Sequence, residues 1–337
     1  MEDFIHTLNA VIWSPALVAF CLGAGLFFSI KSRFVQLRLI PEMWRLLFQK
    51  KEDEIGLSSF QALSLTLAGR VGTGNIAGVA TAICFGGPGA LFWMWVVAFL
   101  GASSAFVEST LGQIYKERIE GQYRGGPAFY IERGLKLKAY AWAFAIVTIL
   151  ASCFFCPGVQ SNSIALAWNE AFGLDAEVTA AIVASITCFV IVGGLRRIAT
   201  FTSWVVPFMA QAYIVVALII VGVNWEQIPA VMTLIVNSAF GFDSLTGGML
   251  GAAIAWGVKR GIYSNEAGQG TGPHASSAAA VSHPAKQGLV QAFSVYIDTL
   301  FVCSATGFMI LMTGCYNMQA PDGSMIFEGL KGVEAGP

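Results

Sequence analysis

Long stretches without a charged residue are the feature that most constrains the fold of this chain. Val71–Val107 contains no charged residue, and neither do Val11–Ile30, Ala139–Asn169 and Ile198–Trp225. A helix needs about 20 apolar residues to cross a bilayer, so each stretch is long enough for one crossing and the longest for two. Charged residues make up 12% of the sequence, about half the share of a soluble domain. The sequence therefore predicts an all-α, multi-pass membrane protein.

The spans and their orientation follow from glycine, proline and the basic residues. The sequence GGPG divides the longest stretch into two helices, because it lowers helix propensity and removes a backbone donor. The eight predicted spans are 11–30, 58–85, 88–115, 139–160, 178–195, 199–223, 243–262 and 287–313. Lys and Arg concentrate in loops 31–57 and 116–138, whereas loops 161–177 and 224–242 contain neither. By the positive-inside rule this distribution places the N-terminus outside the cell. The apolar residues 227–242 are predicted to form a helix on the outer surface.

Other classes of function find little support in the residues. The net charge of −1 and the lack of a basic domain do not favour nucleic-acid binding. Cys153 and Cys156 have the spacing of a redox pair, but they lie within a predicted span, which favours packing. No spacing typical of a nucleophile with its base, or of a metal centre, stands out. The sequence does not predict an enzyme.

Three ionisable residues fall inside predicted spans: Arg70, Glu108 and Asp298. Such residues are costly in a membrane and are usually functional or paired with one another. Two interpretations are open from the sequence alone. Arg70 pairs with one of the acids to hold the helices together, or the charges belong to a transport pathway. The two interpretations are compatible.

The segment Leu65–Asn75, LTLAGRVGTGN, is built to interrupt a membrane helix. Its three glycines lower helix propensity, and freed backbone groups at membrane depth are tolerated only where they line a cavity or bind something. A second half-helix starting near Asn75 would attract a carboxylate to its N–H groups. The Thr73 hydroxyl and the Asn75 side-chain oxygen would suit sodium. Alternatively, Gly74 and Gly78 form a G-x-x-x-G that marks a close helix contact, and spacing alone does not decide.

A second candidate break follows in the sequence GVKRGIYSNEAGQGTG, at Gly257–Gly272. Here an apolar helix gives way to charged residues and several glycines. An ordinary end of a span with a basic flank explains the pattern slightly better than a break does. Two breaks separated by five spans would, however, fit transporters that are built from paired halves.

Several blocks of the sequence resemble a known family. They are GTGNIAGVATA, GGPGALFWMWVVAFLG, GGPAFYIERGL, VQSNSIA, RGIYSNEAGQGTGP and HPAKQGLVQAF, in chain order. Together they resemble the alanine/glycine:cation symporter family over almost the whole chain, and the tryptophan-rich block is the most specific. The resemblance implies sodium-coupled, in some members proton-coupled, symport of alanine or glycine across a bacterial or archaeal plasma membrane.

The resemblance also implies a fold, the amino-acid transporter fold with two inverted five-helix repeats (5+5). Residues 1–57 would form an extra N-terminal helix and a basic cytoplasmic loop, 58–225 the first repeat, and 226–337 the start of the second. Only seven of the ten core helices are recognisable, so we expect the N-terminal part of a longer protein that does not transport by itself. Both suspected breaks fall in helices that this fold interrupts, and we expect the second near Trp256–Gly257.

The implied site lies between the two breaks. The predicted substrate-binding residues are Gly72, Thr73, Gly74, Asn75, Ala255, Trp256 and Gly257. The predicted sodium ligands are Thr73, Asn75 and Asp298, and the predicted structural charges are Arg70 and Glu108. The substrate carboxylate would meet N–H groups of the first break and its ammonium the carbonyls of the second, while Trp256 would keep the pocket small. Alternatives are symport of another small neutral amino acid, or a channel or membrane subunit that does not transport. The sequence predicts no oligomeric state.

Overall fold

The computed structural model describes residues 9, 11–49, 53–242, 249–320 and 323–329, and most of these residues are helical. The helices are α1 (Pro15–Lys31), α2 (Val35–Arg38), α3 (Ile40–Leu47), α4 (Ser59–Arg70), α5 (Thr73–Gly86), α6 (Gly89–Ile114), α7 (Pro127–Gly134), α8 (Lys138–Phe172), α9 (Ala176–Ile191), α10 (Gly194–Val223), α11 (Ile228–Ala239), α12 (Leu250–Asn265), α13 (Gly272–Ser277) and α14 (Pro284–Thr313). In the described part of the chain, α6, α8, α10 and α14 are long and apolar enough to cross a membrane, and α1, α5 and α9 are shorter apolar helices. The prediction of a helical membrane protein is confirmed.

The helices follow the predicted spans, with one large difference at α8. This helix was predicted over 139–160 but continues to Phe172, with one π-helical turn at Ala151–Phe155. It ends where Gly173 adopts a left-handed φ of 66°, a common way to terminate a helix. The predicted loop 161–177 is therefore wrong over most of its length. The start of the predicted span 243–262 lies outside the described residues.

The first predicted break lies where the glycines indicated. The Ser58 hydroxyl accepts a hydrogen bond from the Gln61 N–H at 3.2 Å, and the two residues form a capping box that starts α4. α4 ends at Arg70, Val71 has an extended backbone, and α5 begins at Thr73. The second half-helix therefore begins two residues earlier than expected. Neither half alone is long enough to span a bilayer.

α6 lies at the centre of the bundle, where α12 and α14 approach it closely. The approach is possible because the contact positions are small. Ala90, Ala98 and Ala102 on α6 are fully buried. On α12, a Cβ placed on Gly257 would stand 2.5 Å from the Ala90 carbonyl oxygen. Gly257 is therefore a packing glycine, used where two helix backbones meet.

We expect Gly257→Ala to lower the free energy of unfolding by about 2 kcal/mol, because the added methyl group overpacks a rigid backbone contact. Gly251→Ala on the same helix is the matched control, since among the described residues no atom beyond its chain neighbours and the adjacent backbone of its own helix lies within 4 Å of its added Cβ. That control should be neutral or gain up to about 1 kcal/mol from helix propensity. Denaturant unfolding of the purified protein measures both changes. Equal effects of the two substitutions would contradict the packing role of Gly257.

The predicted surface helix is present as α11. Its residues Val231, Ile235, Ser238 and Ala239 are buried, and the helix packs against α6. The Ser238 hydroxyl accepts a hydrogen bond from the Gly89 N–H at 3.1 Å, at the start of α6. The position of α11 on the outer surface of the membrane stays a prediction.

The basic loops are tied to one another at one end of the bundle. Leu57 pairs with the strand-like residues 278–280 through two backbone hydrogen bonds of 2.9 Å. Lys116 donates to the Ala279 carbonyl at 2.6 Å and lies 4.2 Å from the centre of the Tyr123 ring. Hydrogen bonds from the Gly56 N–H and the Tyr123 hydroxyl hold the pKa of the Asp53 carboxyl below its usual value. Two short hairpins, β1–β2 (Glu117–Ile119, Gln122–Arg124) and β3–β4 (Asn317–Gln319, Met325–Glu328), complete the fold.

Candidate functional site

The break between α4 and α5 is filled by side chains of this chain. The Asn75 Oδ1 accepts a hydrogen bond from the Gly72 N–H at 2.8 Å. The Thr73 N–H donates to Oε1 of Gln160, on α8, at 3.2 Å. An amide oxygen thus occupies the N-terminal position of α5 where a substrate carboxylate was expected. The position suits such an oxygen because the helix dipole and exposed N–H groups favour negative charge there.

Asp298 lies at the centre of a buried polar cluster next to this break. Its Oδ1 accepts from Asn75 Nδ2 at 2.7 Å, and its Oδ2 accepts from the hydroxyls of Ser264 and Thr299, both at 2.8 Å. Cys303 completes the cluster, with its sulfur 3.2 Å from both Asn75 Nδ2 and Ser264 Oγ. The first break, the end of α12 and the middle of α14 thereby meet at one carboxylate.

The local backbone explains why Asp298 reaches the cluster. Residues Tyr296–Cys303 of α14 form a π-helix, a widened helical turn that is frequent at functional sites. Asp298 and Thr299 are both fully buried although they are adjacent in sequence. Both side chains therefore contribute oxygens to the same site.

Within the described residues the Asp298 carboxylate forms no direct salt bridge, and the Arg70 guanidinium acts on it only from a longer distance. Its hydrogen-bond partners are the neutral groups of Asn75, Ser264 and Thr299. A fully buried carboxylate that is only hydrogen-bonded is costly, and the cost falls when a cation binds. The cluster is therefore a candidate site for a small cation with a preference for oxygen ligands.

The predicted sodium ligands are only partly brought together. Asn75 and Asp298 are in direct contact, but Asn75 presents its NH₂ group to the carboxylate because its oxygen caps Gly72. In this structure the Asn75 oxygen is thus engaged by the backbone, and its role as a sodium ligand stays a prediction. The Thr73 hydroxyl is buried and has no hydrogen-bond partner among the described residues. Thr73 also lines a neighbouring cavity.

This cavity lies beside the first break and has a volume of about 490 Å³. Its lining residues are Thr73, Gly74, Ala77, Gly78, Thr81, Val159, Asn162, Ser163, Leu166, Arg260 and Tyr263. Gly74 and Gly78 face α12, as the G-x-x-x-G alternative predicts for a close helix contact. A Cβ atom added to Gly74 would stand 3.3 Å from the Tyr263 side chain, and one added to Gly78 would stand 3.9 Å from the Arg260 side chain. The segment therefore serves both as a break and as a packing surface.

The second break lies later than expected. α12 is continuous from Leu250 to Asn265, so Ala255, Trp256 and Gly257 are inside the helix and the break expected near Trp256–Gly257 is corrected. Trp256 stacks on Phe85 with ring centres 5.0 Å apart, and Gly257 packs on α6. The chain leaves the helix at Glu266, which has a left-handed φ of 52°. The glycine-rich residues 267–271 then connect α12 to α13.

Glu108 holds this second break in place. Its Oε1 accepts from the Gly268 N–H at 3.2 Å, and its Oε2 accepts from the Gly270 N–H at 3.0 Å. The Glu266 carboxylate closes the same loop by accepting from the Thr271 hydroxyl at 2.6 Å. The sequence predicted a structural charge at Glu108, and here it satisfies backbone groups that the interrupted helix leaves without partners.

Arg70 forms a different contact from the one expected. Its Nη1 donates to the Ser294 hydroxyl on α14. Across the described ranges, Arg70 forms no salt bridge within 4.0 Å, and its Nε and Nη2 atoms have no hydrogen-bond partner. A direct ion pair with an acid is therefore not formed. Arg70 Nη2 and Glu108 Oε1 nevertheless lie near each other beside Gly272. A Cβ atom built onto this glycine would stand 3.1 Å from Arg70 Nη2 and 3.6 Å from Glu108 Oε1.

Sequence reasoning missed Gln160, Ser264 and Thr299. The run VQSNS contains four polar residues inside an otherwise apolar stretch, and this signal could have pointed to Gln160. Ser264 precedes the Asn-Glu pair at which α12 ends, within the second candidate break, but it was not singled out because the break was expected near Trp256–Gly257. Thr299 had no signal of its own apart from its position next to Asp298.

An interrupted helix that contacts a buried carboxylate on one side and lines a cavity on another is typical of secondary transporters. Comparison with known proteins agrees, since the model of the sodium:alanine symporter family matches residues 1–331. The chain belongs to this family of amino-acid symporters and is embedded in a membrane.

Three relatives illustrate the range of the family. The chain is 62% identical to the putative sodium/proton-dependent alanine carrier protein YrbD of Bacillus subtilis (strain 168), over 100% of this chain and 70% of the relative. It is 44% identical to the probable sodium/glutamine symporter GlnT of the same organism, over 94% of this chain and 67% of the relative. It is 40% identical to the sodium/alanine symporter AgcS of Methanococcus maripaludis, over 93% of this chain and 71% of the relative.

Proposed function

We propose that this protein couples the entry of sodium to the uptake of a small neutral amino acid, alanine or glycine, across the plasma membrane. The observation that carries the proposal is the buried Asp298 carboxylate, which joins the first break, the end of α12 and the π-helical turn of α14. The similarity to a putative sodium/proton-dependent alanine carrier and to a sodium/alanine symporter supports it. The inverted 5+5 repeat with α1 as an extra helix, and an N-terminus outside, belong to the same proposal.

The ion would bind at the Asp298 cluster. The hydroxyl oxygens of Ser264 and Thr299 both lie 2.8 Å from Oδ2 of the carboxylate, so the three side chains bring several oxygens together, and oxygen is the ligand that hard cations prefer. Rotation of the Asn75 amide by half a turn would add a fourth oxygen and release the Gly72 N–H. Ion binding would thereby free a backbone donor at the first break.

The amino acid would bind in the cavity beside Thr73. Its carboxylate would take the N–H groups at the start of α5, which Gln160 and Asn75 now satisfy. Its ammonium would lie toward the C-terminal end of α12, where the helix dipole favours a cation. The side chains of Leu166 and Tyr263, which line the cavity, would limit the size of the substrate. Because Asn75 serves both sites, ion binding and substrate binding are coupled.

We expect Gln160→Glu to weaken alanine binding by about thirtyfold, the equivalent of one charge-assisted hydrogen bond. The new carboxylate would hold the Thr73 N–H permanently and repel the carboxylate of the substrate. Asn169→Asp is the matched control, because it introduces the same charge at an exposed position of the same helix. Equilibrium binding of labelled alanine measures the effect. Equal affinity in both variants would place the substrate elsewhere.

Transport itself is tested with proteoliposomes that contain the full-length protein and a sodium gradient directed inward. We expect saturable accumulation of labelled alanine that unlabelled glycine inhibits and that disappears when potassium replaces sodium. Accumulation driven equally well by a proton gradient would assign the coupling to protons. Flux that does not saturate with alanine would support a channel instead, and no flux in any gradient would support a subunit that does not transport.

A further inference from the structure

The segment that follows α1 has two apolar faces. One face consists of Met43, Leu46 and Leu47, which are buried in the core against α14. The other face is exposed and consists of Leu37, Ile40, Trp44 and Phe48. The spacing of three or four residues places these four side chains on one side of the α2–α3 segment. Because only one of the two apolar faces is covered by the protein, we expect the other face to contact a second apolar environment.

The exposed face has the character of a membrane boundary. Trp44 is 57% exposed and Phe48 is 68% exposed, and their ring centres lie 5.6 Å apart in an edge-to-face arrangement. Aromatic side chains concentrate at the level of lipid headgroups. Helices of this kind lie in the plane of the interface with one face in the acyl boundary. The segment directly follows α1, an apolar helix, and this position is consistent with the interface.

Cationic side chains surround this face. Lys31, Arg33, Arg38 and Arg45 are all exposed. Basic residues next to a span are attracted to anionic lipids. The combination of exposed aromatic rings and arginines on one segment is complementary to a surface that is apolar on one side and negatively charged on the other.

A cavity of about 490 Å³ opens at the end of α3. Its lining residues are Glu42, Arg45, Leu46, Phe48, Gln49 and Lys286. Arg45 comes from α3 and Lys286 from the first turn of α14, so two separate elements contribute a basic residue to the lining, and the Lys286 ammonium also donates to the Ser282 hydroxyl at 2.6 Å. The Glu42 carboxylate lies 3.8 Å from Arg45, but the arginine side chain is 83% exposed, and an exposed ion pair of this kind contributes little. Arg45 therefore keeps donors available for a ligand.

We propose that this cavity binds the phosphate headgroup of an anionic phospholipid, with the acyl chains lying along Trp44 and Phe48. Arg45 would donate to two phosphate oxygens at once, as a guanidinium does, and Lys286 would supply a second positive charge. The lipid belongs to the leaflet on the side of the basic loops. The site lies outside the break and the Asp298 cluster, so it does not depend on the proposed transport function.

The test measures binding of a short-chain phosphatidylglycerol to the purified protein by native mass spectrometry. Each basic residue near an anionic surface contributes about fivefold in affinity. We therefore expect Arg45→Gln with Lys286→Gln to weaken binding about 25-fold. Lys136→Gln with Lys138→Gln removes the same charge from an exposed part of another basic loop and should change the affinity less than about twofold.

Two further arms identify the ligand. Short-chain phosphatidylcholine and inorganic phosphate should each bind at least about tenfold more weakly than phosphatidylglycerol, because the first lacks net charge and the second lacks acyl chains. Trp44→Ser with Phe48→Ser keeps every charge and should weaken lipid binding about tenfold. If the double charge variant does not fold, Arg45→Gln alone should lower the affinity about fivefold. Unchanged lipid affinity in the charge variants, or inorganic phosphate that binds as tightly as the lipid, would overturn the proposal.

Discussion

Replacing Asp298 by asparagine is expected to weaken sodium binding by about a thousandfold. Loss of the charged partner at a buried ion site costs about 4 kcal/mol, and asparagine keeps the size of the side chain while removing its charge. The hydroxyls of Ser264 and Thr299, which now donate to the carboxylate, would face a neutral amide. Sodium-dependent uptake of alanine and direct sodium titration of the purified protein measure the loss.

Two controls separate ion binding from general damage. Glu132→Gln removes an acid that is exposed on α7 and should leave sodium affinity unchanged. Ser264→Ala removes one neutral oxygen and should cost about tenfold, an effect between those of the other two variants. If the sodium affinity of the Asp298→Asn variant stays within about threefold of that of the unchanged protein, the carboxylate is not part of the ion site.

The second large effect is expected at the other break. Glu108→Gln should lower the free energy of unfolding by about 3 kcal/mol. The Glu108 carboxylate accepts from the Gly268 and Gly270 N–H groups through its two oxygens, whereas glutamine has only one acceptor atom. The substitution also removes a negative charge near the buried Arg70 guanidinium. Thermal or denaturant unfolding of the purified protein measures the change.

The neighbouring residue supplies the control for this effect. Ser109 is buried on the same helix, and its hydroxyl has no hydrogen-bond partner within the described part of the chain. Ser109→Ala should therefore leave stability unchanged or raise it slightly, because an unsatisfied buried hydroxyl is removed. If Glu108→Gln lowers the free energy of unfolding no more than Ser109→Ala does, the Glu108 carboxylate does not hold the loop.

The helices could be predicted from the sequence because their signal is local. Charge-free length defines α6 and α10 within a few residues, and the three glycines of Leu65–Asn75 locate the break between α4 and α5. The glycine that ends α8, Gly173, lies inside the predicted loop 161–177 and was not used as a helix end. The polar residues after 160 are typical of a loop, but no glycine or proline interrupts the helix between Val159 and Phe172.

The position of the second break could not be predicted because glycine has two different uses. Gly257 meets the Ala90 carbonyl of another helix, whereas Gly268 and Gly270 adopt left-handed backbone conformations, with φ of 85° and 84°, in the connection. In sequence both are glycines in one polar stretch. The packing partner of Gly257 lies far away along the chain, so only the tertiary structure separates the two uses.

The contact between Asn75 and Asp298 could be predicted from the sequence, but its atomic details could not, and the binding roles of these residues stay a prediction. Asn75 and Asp298 were expected to meet and do so, but the Asn75 oxygen caps Gly72 and its NH₂ group faces the carboxylate. Arg70 was expected to pair with an acid and instead contacts Ser294. Hydrogen-bond direction and the choice among several partners depend on positions set by the packing of distant helices, which no local pattern contains.

The central claim is that sodium and a small neutral amino acid bind together at the first break. Equilibrium binding of labelled alanine to the purified protein, in sodium and in potassium at equal ionic strength, tests it most directly. We expect sodium to tighten alanine binding by at least about tenfold, alanine to tighten sodium binding by the same factor, and Asp298→Asn to abolish this dependence. The same alanine affinity in sodium and in potassium would show that the two ligands do not bind together.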